Sequence, residues 1–270
     1  MSKLVTFEVR GAVAVVTLND AGRMNPLSSG LMQELANAMS RIETDTAIRA
    51  LLLTASGRGF CVGADLKDFA ERSQSLPDGD SLGQHVGRMM EEDGNALICR
   101  LRNLPVPVVC AVNGPAAGGG VGLALAADIV IAARSAYFYL PFVPALGLVP
   151  DMGASWMLPR LIGRARAVGL ALTGEKLAAD TAAQWGLIWA CVDDAALQDE
   201  GSRLATTLAE LAADSIREVR SIFAAAETNG LEQQLSLERE RQEKLIDGEA
   251  FAQGLRAFHE RRKPAFKGRA

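Results

Sequence analysis

Two glycine-bearing turns in the sequence could hold a negatively charged oxygen with backbone N–H groups. The first, residues 57–66, reads Gly-Arg-Gly-Phe-Cys-Val-Gly-Ala-Asp-Leu, and the second, residues 113–120, ends in three successive glycines. Glycine lets the backbone approach a ligand without a Cβ in the way, and a helix N-terminus adds partial positive charge. Because such donors need no reorganisation, they would stabilise an oxyanion that forms during a reaction. The glycines could equally serve only the tight packing of helix on strand.

One acidic residue, Asp151, lies in an otherwise apolar stretch, residues 142–153. Apolar surroundings disfavour the charged carboxylate, which raises its pKa and makes it a better base. Pro-Asp-x-Gly is also a turn signature, and Asp151 could instead cap a helix predicted over residues 155–161. The spacing alone leaves both roles open.

The common glycine motifs and metal motifs do not fit. Residues 118–122 follow a predicted strand and open a helix, but Leu125 stands where a dinucleotide fingerprint needs its third glycine. A phosphate loop would carry lysine where Gly120 stands. The sequence has no G-x-S-x-G elbow, and its two histidines, His85 and His259, are far apart, so we expect no metal site.

The elements that must position these residues alternate between strand and helix, which is typical of an α/β layered core. Strands are predicted over residues 4–9, 12–18, 50–54, 106–112 and 129–133, and helices over residues 28–42, 81–103 and 119–127. From about Asp151 onward the pattern is almost wholly helical, with amphipathic helices over residues 195–226, 231–245 and 249–262. The absence of a long linker predicts that these helices pack on the core or on a neighbouring subunit.

Composition counts against several classes of function. The chain has 270 residues, 49% of them hydrophobic and 5% aromatic, with a net charge of -4. A mildly acidic protein has no general attraction for nucleic acid or anionic membranes. The N-terminal residues lack a continuous signal-like apolar core, and the cysteines do not form C-x-x-C pairs, so we expect a cytoplasmic protein with reduced thiols.

In combination, these segments resemble the crotonase (enoyl-CoA hydratase/isomerase) family. The resemblance rests on residues 60–66, 113–120, 126–130, 146–151, 184–187 and 258–266. It implies an α/β spiral of β-β-α units over residues 1–195. It also implies a C-terminal helical region, residues 196–270, that mediates homotrimers, often paired into hexamers.

The resemblance also implies a site. In this family two main-chain amides hold the thioester oxygen, and they match Ala64 and Gly119. Coenzyme A would carry the acyl substrate, with no separate cofactor. The implied substrate-binding residues are Lys67, Gly118, Phe142 and Lys267, with the two lysines near the coenzyme A phosphates and Lys267 reaching a neighbouring subunit. Residues 67–97 would build the acyl pocket, with Phe69, Met89 and Met90 as its apolar members.

Hydratases of this family use two glutamates, but Gly122 and Phe142 occupy those positions here. Isomerase branches carry an acid where Asp151 stands, which implies a proton shuttle through one base. Residues 163–172 and 224–229 are most similar to the ring-epoxide isomerase of phenylacetyl-CoA breakdown, although that branch often has Gln in place of Ala64. A Δ3-Δ2 enoyl-CoA isomerase, a residual hydratase and a non-catalytic RNA-binding member remain alternatives.

Overall fold

A computed structural model of the chain describes residues 3–65, 67, 71, 76 and 79–269. Its strands form two sheets, one in the order β1-β2-β3-β4-β6-β9 and one in the order β5-β7-β8. The strands are β1 Val5–Arg10, β2 Val13–Leu18, β3 Ala50–Ala55, β4 Val108–Val112, β5 Ala116–Ala117, β6 Ile129–Ala133, β7 Tyr137–Tyr139, β8 Leu177–Ala178 and β9 Ala190–Val192.

Helices alternate with the strands in the first half and dominate the second. The helices of the described residues are α1 Ser29–Thr44, α2 Leu82–Met89, α3 Ala96–Arg102, α4 Gly119–Leu125, α5 Ala154–Ile162, α6 Arg164–Thr173, α7 Ala179–Gln184, α8 Leu197–Ala209, α9 Ala213–Ala226, α10 Leu231–Ile246 and α11 Glu249–His259. Two π-helical turns, Met90–Asn95 and Phe142–Leu146, interrupt this pattern.

The large sheet is the centre of the core. Strands β1 and β2 form an antiparallel hairpin, and the remaining neighbours pair in parallel. Every residue of β3 and β4 is buried, as expected for central parallel strands covered on both faces. Helix α8 packs closely on this sheet, since a β-carbon at Gly201 would lie 3.0 Å from the Leu52 side chain.

The sheet brings the two glycine-bearing turns together. Strands β3 and β4 are parallel neighbours with Leu53 opposite Cys110. Because the carboxyl ends of parallel strands meet at one edge, the turns after Ala55 and Val112 leave the sheet side by side.

The C-terminal segment is fixed to the opposite end of the same strands. Arg49, which precedes β3, donates to the backbone oxygens of Phe266 and Leu211, each at 2.9 Å. Arg220 of α9 pairs with Asp128 before β6, with a 2.7 Å bond from its Nε. The described residues contain no helix of the length and apolarity needed to cross a membrane.

The structure confirms the predicted hairpin, α1, β3, β4, α4 and β6, and corrects other predictions. The single helix predicted over residues 195–226 is wrong, because the chain breaks at residues 210–212, where Arg49 binds the Leu211 carbonyl. The helix predicted over residues 81–103 contains a π-helical turn. Strands β8 and β9 lie in the part predicted to be almost wholly helical. The division into residues 1–195 and 196–270 stays a prediction.

All four cysteines are free. Cys61 and Cys110 are buried, and burial raises the pKa of the Cys61 thiol to about 12, opposed by a hydrogen bond from the Gly63 backbone. Cys99 is exposed.

Candidate active site

The two glycine-bearing turns are in direct contact. Cys61 and Ala116 form an isolated parallel bridge, and the amide of Ala117 donates to the carbonyl of Cys61 at 2.9 Å. Gly63 has a φ of +83°, and a β-carbon there would lie 2.8 Å from the Ala117 oxygen and 3.1 Å from the Gly119 nitrogen. Only glycine permits both this backbone conformation and this approach.

This contact brings the predicted amide donors, Ala64 and Gly119, close together. Ala64 follows Gly63 directly, and Gly119 is the first residue of α4, where helix geometry gives its N–H no partner. Within the described parts of the chain, neither amide donates a hydrogen bond. The two N–H groups are therefore available to an acceptor outside the chain.

Phe142 and Gly118 adjoin these amides. Gly118 has a φ of +54°, and its amide donates to the Tyr139 carbonyl at 2.9 Å. The ring of Phe142 is buried, and its Cζ lies 3.8 Å from the position of a β-carbon at Gly118. Phe142 therefore contributes an apolar wall beside the second turn.

A short segment before α1 holds the first turn, and no pattern in the sequence predicted this role. Asn25 is fully buried with a φ of +56°, and its side-chain amide donates to the carbonyls of Ser56 at 3.1 Å and Gly59 at 2.9 Å. The amide of Leu27 donates to the Gly63 carbonyl at 2.8 Å. These bonds fix the backbone immediately before Ala64.

Asp65, the residue after Ala64, is held in the same way. Its buried carboxylate pairs with the guanidinium of Arg23, which also binds Asp20 at 3.0 Å. The amide of Lys67 donates to the other Asp65 oxygen at 3.2 Å, and the Lys67 side chain is exposed. Lys67 thus lies beside the first turn with its cation free to meet an anionic group.

Asp151 lies next to the second turn. Its Oδ1 is buried without a hydrogen-bond partner among the described residues, 3.6 Å from the position of a β-carbon at Gly119. Burial raises the pKa of Asp151 to about 6, opposed by a hydrogen bond from its own amide. The alternative role as a helix cap is wrong, because α5 begins after Gly153 without a side-chain cap.

Position 122 cannot hold a side chain in this arrangement. A β-carbon at Gly122 would overlap the carbonyl oxygen of Met152 and lie 2.7 Å from the Met152 Cβ. Phe142 occupies the other glutamate position, and Asp151 places a carboxyl group beside Gly119. One carboxylate of this kind can remove a proton and return it.

The remaining predicted residues lie elsewhere or were not described. Lys267 pairs with Glu249 at 2.6 Å and lines a cavity of about 600 Å³ at the sheet end opposite the two turns. It does not join the site within one chain, so its contact in a neighbouring subunit stays a prediction. Met89 and Met90 are half-buried at the start of the π-helical turn, and Phe69 lies outside the described residues.

No group of three potential metal ligands among His, Cys, Asp and Glu occurs in the described ranges.

The basic side chains of the cavity near Lys267 are mostly paired with acids. Arg217 pairs with Asp214, and Lys244 with Glu218 at 3.0 Å.

Comparison with known proteins shows extensive similarity to one family. The protein-family model described as "Enoyl-CoA hydratase/isomerase" matches residues 8–269. The chain is 43% identical to the 1,2-epoxyphenylacetyl-CoA isomerase of Escherichia coli, over 100% of both chains. It is 40% identical to a Rhodobacter capsulatus protein named "Probable enoyl-CoA hydratase", over 98% of both.

Solved structures show the same fold. The crystal structure of an enoyl-CoA hydratase from Bacillus anthracis superposes with a TM-score of 0.89 at 30% identity, covering 98% of this chain and 100% of that one. Similarity of this extent in sequence and structure fixes the fold and the family together. The chain has the crotonase fold and belongs to the enoyl-CoA hydratase/isomerase family.

Proposed function

We propose that this enzyme is an acyl-CoA isomerase that shifts a double bond through a thioester dienolate. Asp151 removes a proton from the carbon beside the thioester, or from the carbon conjugated to it. The electron pair moves onto the thioester oxygen, which the N–H groups of Ala64 and Gly119 hold. Asp151 then returns the proton at the other end of the dienolate, and no water is consumed.

The position of Asp151 is the observation that carries this proposal. Its carboxyl oxygen is buried beside Gly119 without a hydrogen-bond partner in the described structure. A buried carboxyl oxygen without a partner costs free energy, so its presence indicates a ligand or a reaction at this position. Its pKa of about 6 allows it to accept a proton near neutral pH and to release it again.

A hydratase is the alternative, because one 40% identical relative carries that name. Hydration needs a water molecule held and activated, which family hydratases do with two glutamates. Gly122 faces the Met152 backbone and Phe142 is an apolar side chain, so neither position supplies a carboxylate. These features favour isomerisation.

Two substrates separate the two reactions. Crotonyl-CoA accepts water and already carries the conjugated double bond that the isomerase would form, whereas 3-hexenoyl-CoA can isomerise without water. We expect rapid formation of 2-hexenoyl-CoA and little hydration of crotonyl-CoA. Efficient hydration of crotonyl-CoA, with no isomerisation of 3-hexenoyl-CoA, would reject the proposal.

The finer proposal concerns the acyl group. The 43% identical relative is named for 1,2-epoxyphenylacetyl-CoA, so we propose a ring epoxide of phenylacetyl-CoA as the substrate. The apolar ring of Phe142 beside Gly118 supports a site for a ring-bearing acyl group. Comparing kcat/KM for this epoxide and for 3-hexenoyl-CoA tests the point, and a higher value for 3-hexenoyl-CoA would favour a Δ3-Δ2 enoyl-CoA isomerase.

A further inference from the structure

Met152, the residue after Asp151, has an unusual backbone conformation. Its φ is +50°, in the left-handed region that long side chains rarely adopt. The residue is buried, and Gly153 follows with a φ of +77°. Two successive left-handed residues turn the chain sharply between Asp151 and α5. Such a conformation persists only where the surrounding structure fixes it.

Three glycines from two separate segments receive Met152. The Met152 sulfur lies 2.8 Å from the position of a β-carbon at Gly94, in the π-helical turn, and its Cγ lies 3.0 Å from that position at Gly119. The backbone and Cβ of Met152 fill the space in front of Gly122. Each contact exists because the facing residue has no side chain. We name Gly94, Gly119 and Gly122 the glycine socket.

The glycine socket also adjoins Asp151. The Met152 Cγ and the Asp151 Oδ1 lie 3.0 Å and 3.6 Å from the same point, the β-carbon position of Gly119. The methionine side chain and the carboxyl group therefore both adjoin Gly119. Because Oδ1 has no hydrogen-bond partner among the described residues, no hydrogen bond from another residue holds that oxygen in place. Its position follows from the backbone that Met152 anchors.

We propose that Met152 is a positioning residue: seated in the glycine socket, it places the Asp151 carboxylate beside the Gly119 amide and shields it from water. The inference rests on the function proposed for Asp151. It also assigns a purpose to the missing side chain at position 122. Glycine there does more than remove a carboxylate, since it makes room for the turn that carries the base.

Two substitutions disturb the contact between Met152 and the glycine socket, one on each side of that contact. Gly122→Ala adds a β-carbon that overlaps the Met152 carbonyl, and Met152→Gly removes the seated side chain while keeping a residue that adopts a positive φ readily. Met152→Leu retains an apolar side chain of similar volume. Gly169→Ala in α6 is the matched control, because a β-carbon there meets nothing within 4 Å.

The measurement is 3-hexenoyl-CoA isomerisation as a function of pH. For Gly122→Ala and Met152→Gly we expect kcat to fall about tenfold or more with little change in KM, since a small misplacement of a base is costly. Their acid limb in kcat/KM should move from about pH 6 towards the ordinary aspartate pKa of 3.8, because water reaches Asp151. Met152→Leu and Gly169→Ala should keep both kcat and the acid limb.

The outcomes separate this inference from the proposed function. Suppose that Asp151→Asn abolishes isomerisation while Met152→Gly retains wild-type kcat and an acid limb near pH 6. The positioning role of Met152 is then wrong, and the proposed function stands. A lowered melting temperature with unchanged kcat and pH profile would equally reduce Met152 to a structural residue. Full isomerisation by Asp151→Asn would overturn both. If Gly122→Ala does not fold, the kcat and the pH profile of Met152→Gly test the positioning role of Met152.

Discussion

Asp151 is the residue on which activity should depend most sharply. Its carboxyl group must be ionised to accept a proton, and burial raises its pKa to about 6. We therefore expect kcat/KM for 3-hexenoyl-CoA to rise as the pH rises through about 6 and then to level off. Asp151→Asn should lower kcat by about a hundredfold or more and remove this acid limb.

Asp247→Asn is the control for that prediction. Asp247 is an exposed residue after α10, far along the chain from the two turns, and it should leave the profile unchanged. A wild-type profile that stays flat between about pH 5 and pH 8, or an active Asp151→Asn, would show that another group is the base.

The same pKa makes a second prediction, about stability. Between pH 3.8 and about 6 the folded protein binds more protons at Asp151 than the unfolded chain does. The free energy of unfolding therefore falls as the pH rises through this window, and stays lowered above it. Asparagine carries no charge. The free energy of unfolding of Asp151→Asn should therefore exceed that of the wild type by about 1–3 kcal/mol at about pH 8.

Urea unfolding of both proteins at about pH 8 and pH 5 measures this difference. It should shrink at the lower pH, where the wild-type carboxyl is already largely protonated in the fold. An equal or smaller stability of Asp151→Asn at the higher pH would mean that the carboxylate is satisfied in solution.

The sequence could identify some of these residues and not others. The two glycine-bearing turns and the acid in an apolar stretch stand out in the sequence, but the resemblance to the crotonase family was needed to assign Ala64 and Gly119 and to favour Asp151 as a base. Asn25 and Met152 act through contacts with residues far along the chain, in left-handed conformations that a sequence does not display. The only local hint was that asparagine tolerates a positive φ better than most residues.

At the level of elements, the contact between α4 and the turn after Pro150 should forbid a simple conversion to a hydratase. Gly122→Glu restores one family glutamate in the sequence, but its β-carbon would overlap the Met152 carbonyl. We expect no gain in crotonyl-CoA hydration, loss of isomerisation, and destabilisation by about 1–3 kcal/mol or more from overpacking. Enzyme assays and urea unfolding measure the three effects.

Gly169→Glu is the matched control, since α6 offers open space at that position. It should unfold like the wild type and retain isomerisation. New hydratase activity in Gly122→Glu would show that the turn yields to the glutamate without loss.

The link between the pre-α1 segment and the first turn makes another prediction. Asn25→Ala removes the two hydrogen bonds to Ser56 and Gly59 and places alanine at a φ of +56°. Losing buried hydrogen bonds and straining the backbone should together cost about 2–4 kcal/mol in the free energy of unfolding. Asn37→Ala on the exposed side of α1 should cost far less. Comparable losses in the two variants would contradict this role for Asn25.

The elements themselves were predictable to the extent that they show periodicity. Long or strongly apolar segments such as α1, β3 and β4 carry a clear pattern and were found. Strands β5 and β8 have two residues each, too few to alternate, and their pairing partners are distant in sequence. The break between α8 and α9 contains no glycine or proline, and a contact from Arg49 stabilises it.

In the whole molecule, the proposed site and the C-terminal segment lie at opposite ends of the strands of the large sheet. The carboxyl ends of β3 and β4 carry the turns of the proposed site, and the C-terminal segment is fixed beyond their other ends by Arg49. The C-terminal helices are therefore anchored at the sheet end opposite the amides. Changes in these helices should affect assembly before they affect chemistry within one chain.

Exposed apolar side chains on this part of the chain predict an oligomer. Phe223, Leu231 and Phe258 are 69%, 75% and 78% exposed, and further large apolar side chains of α9 to α11 are also accessible. Monomers rarely leave so many such groups in water. We expect a homotrimer or a pair of trimers, so light scattering after size exclusion should give three or six times the chain mass of 28.6 kDa.

Phe223→Glu should shift the mass towards the monomer, because a charge buried in an apolar interface is costly. Val9→Glu, at a 46% exposed position on the edge strand β1, should keep the assembly intact. A wild-type protein of single-chain mass at micromolar concentration would leave these side chains without a partner copy and reject the prediction.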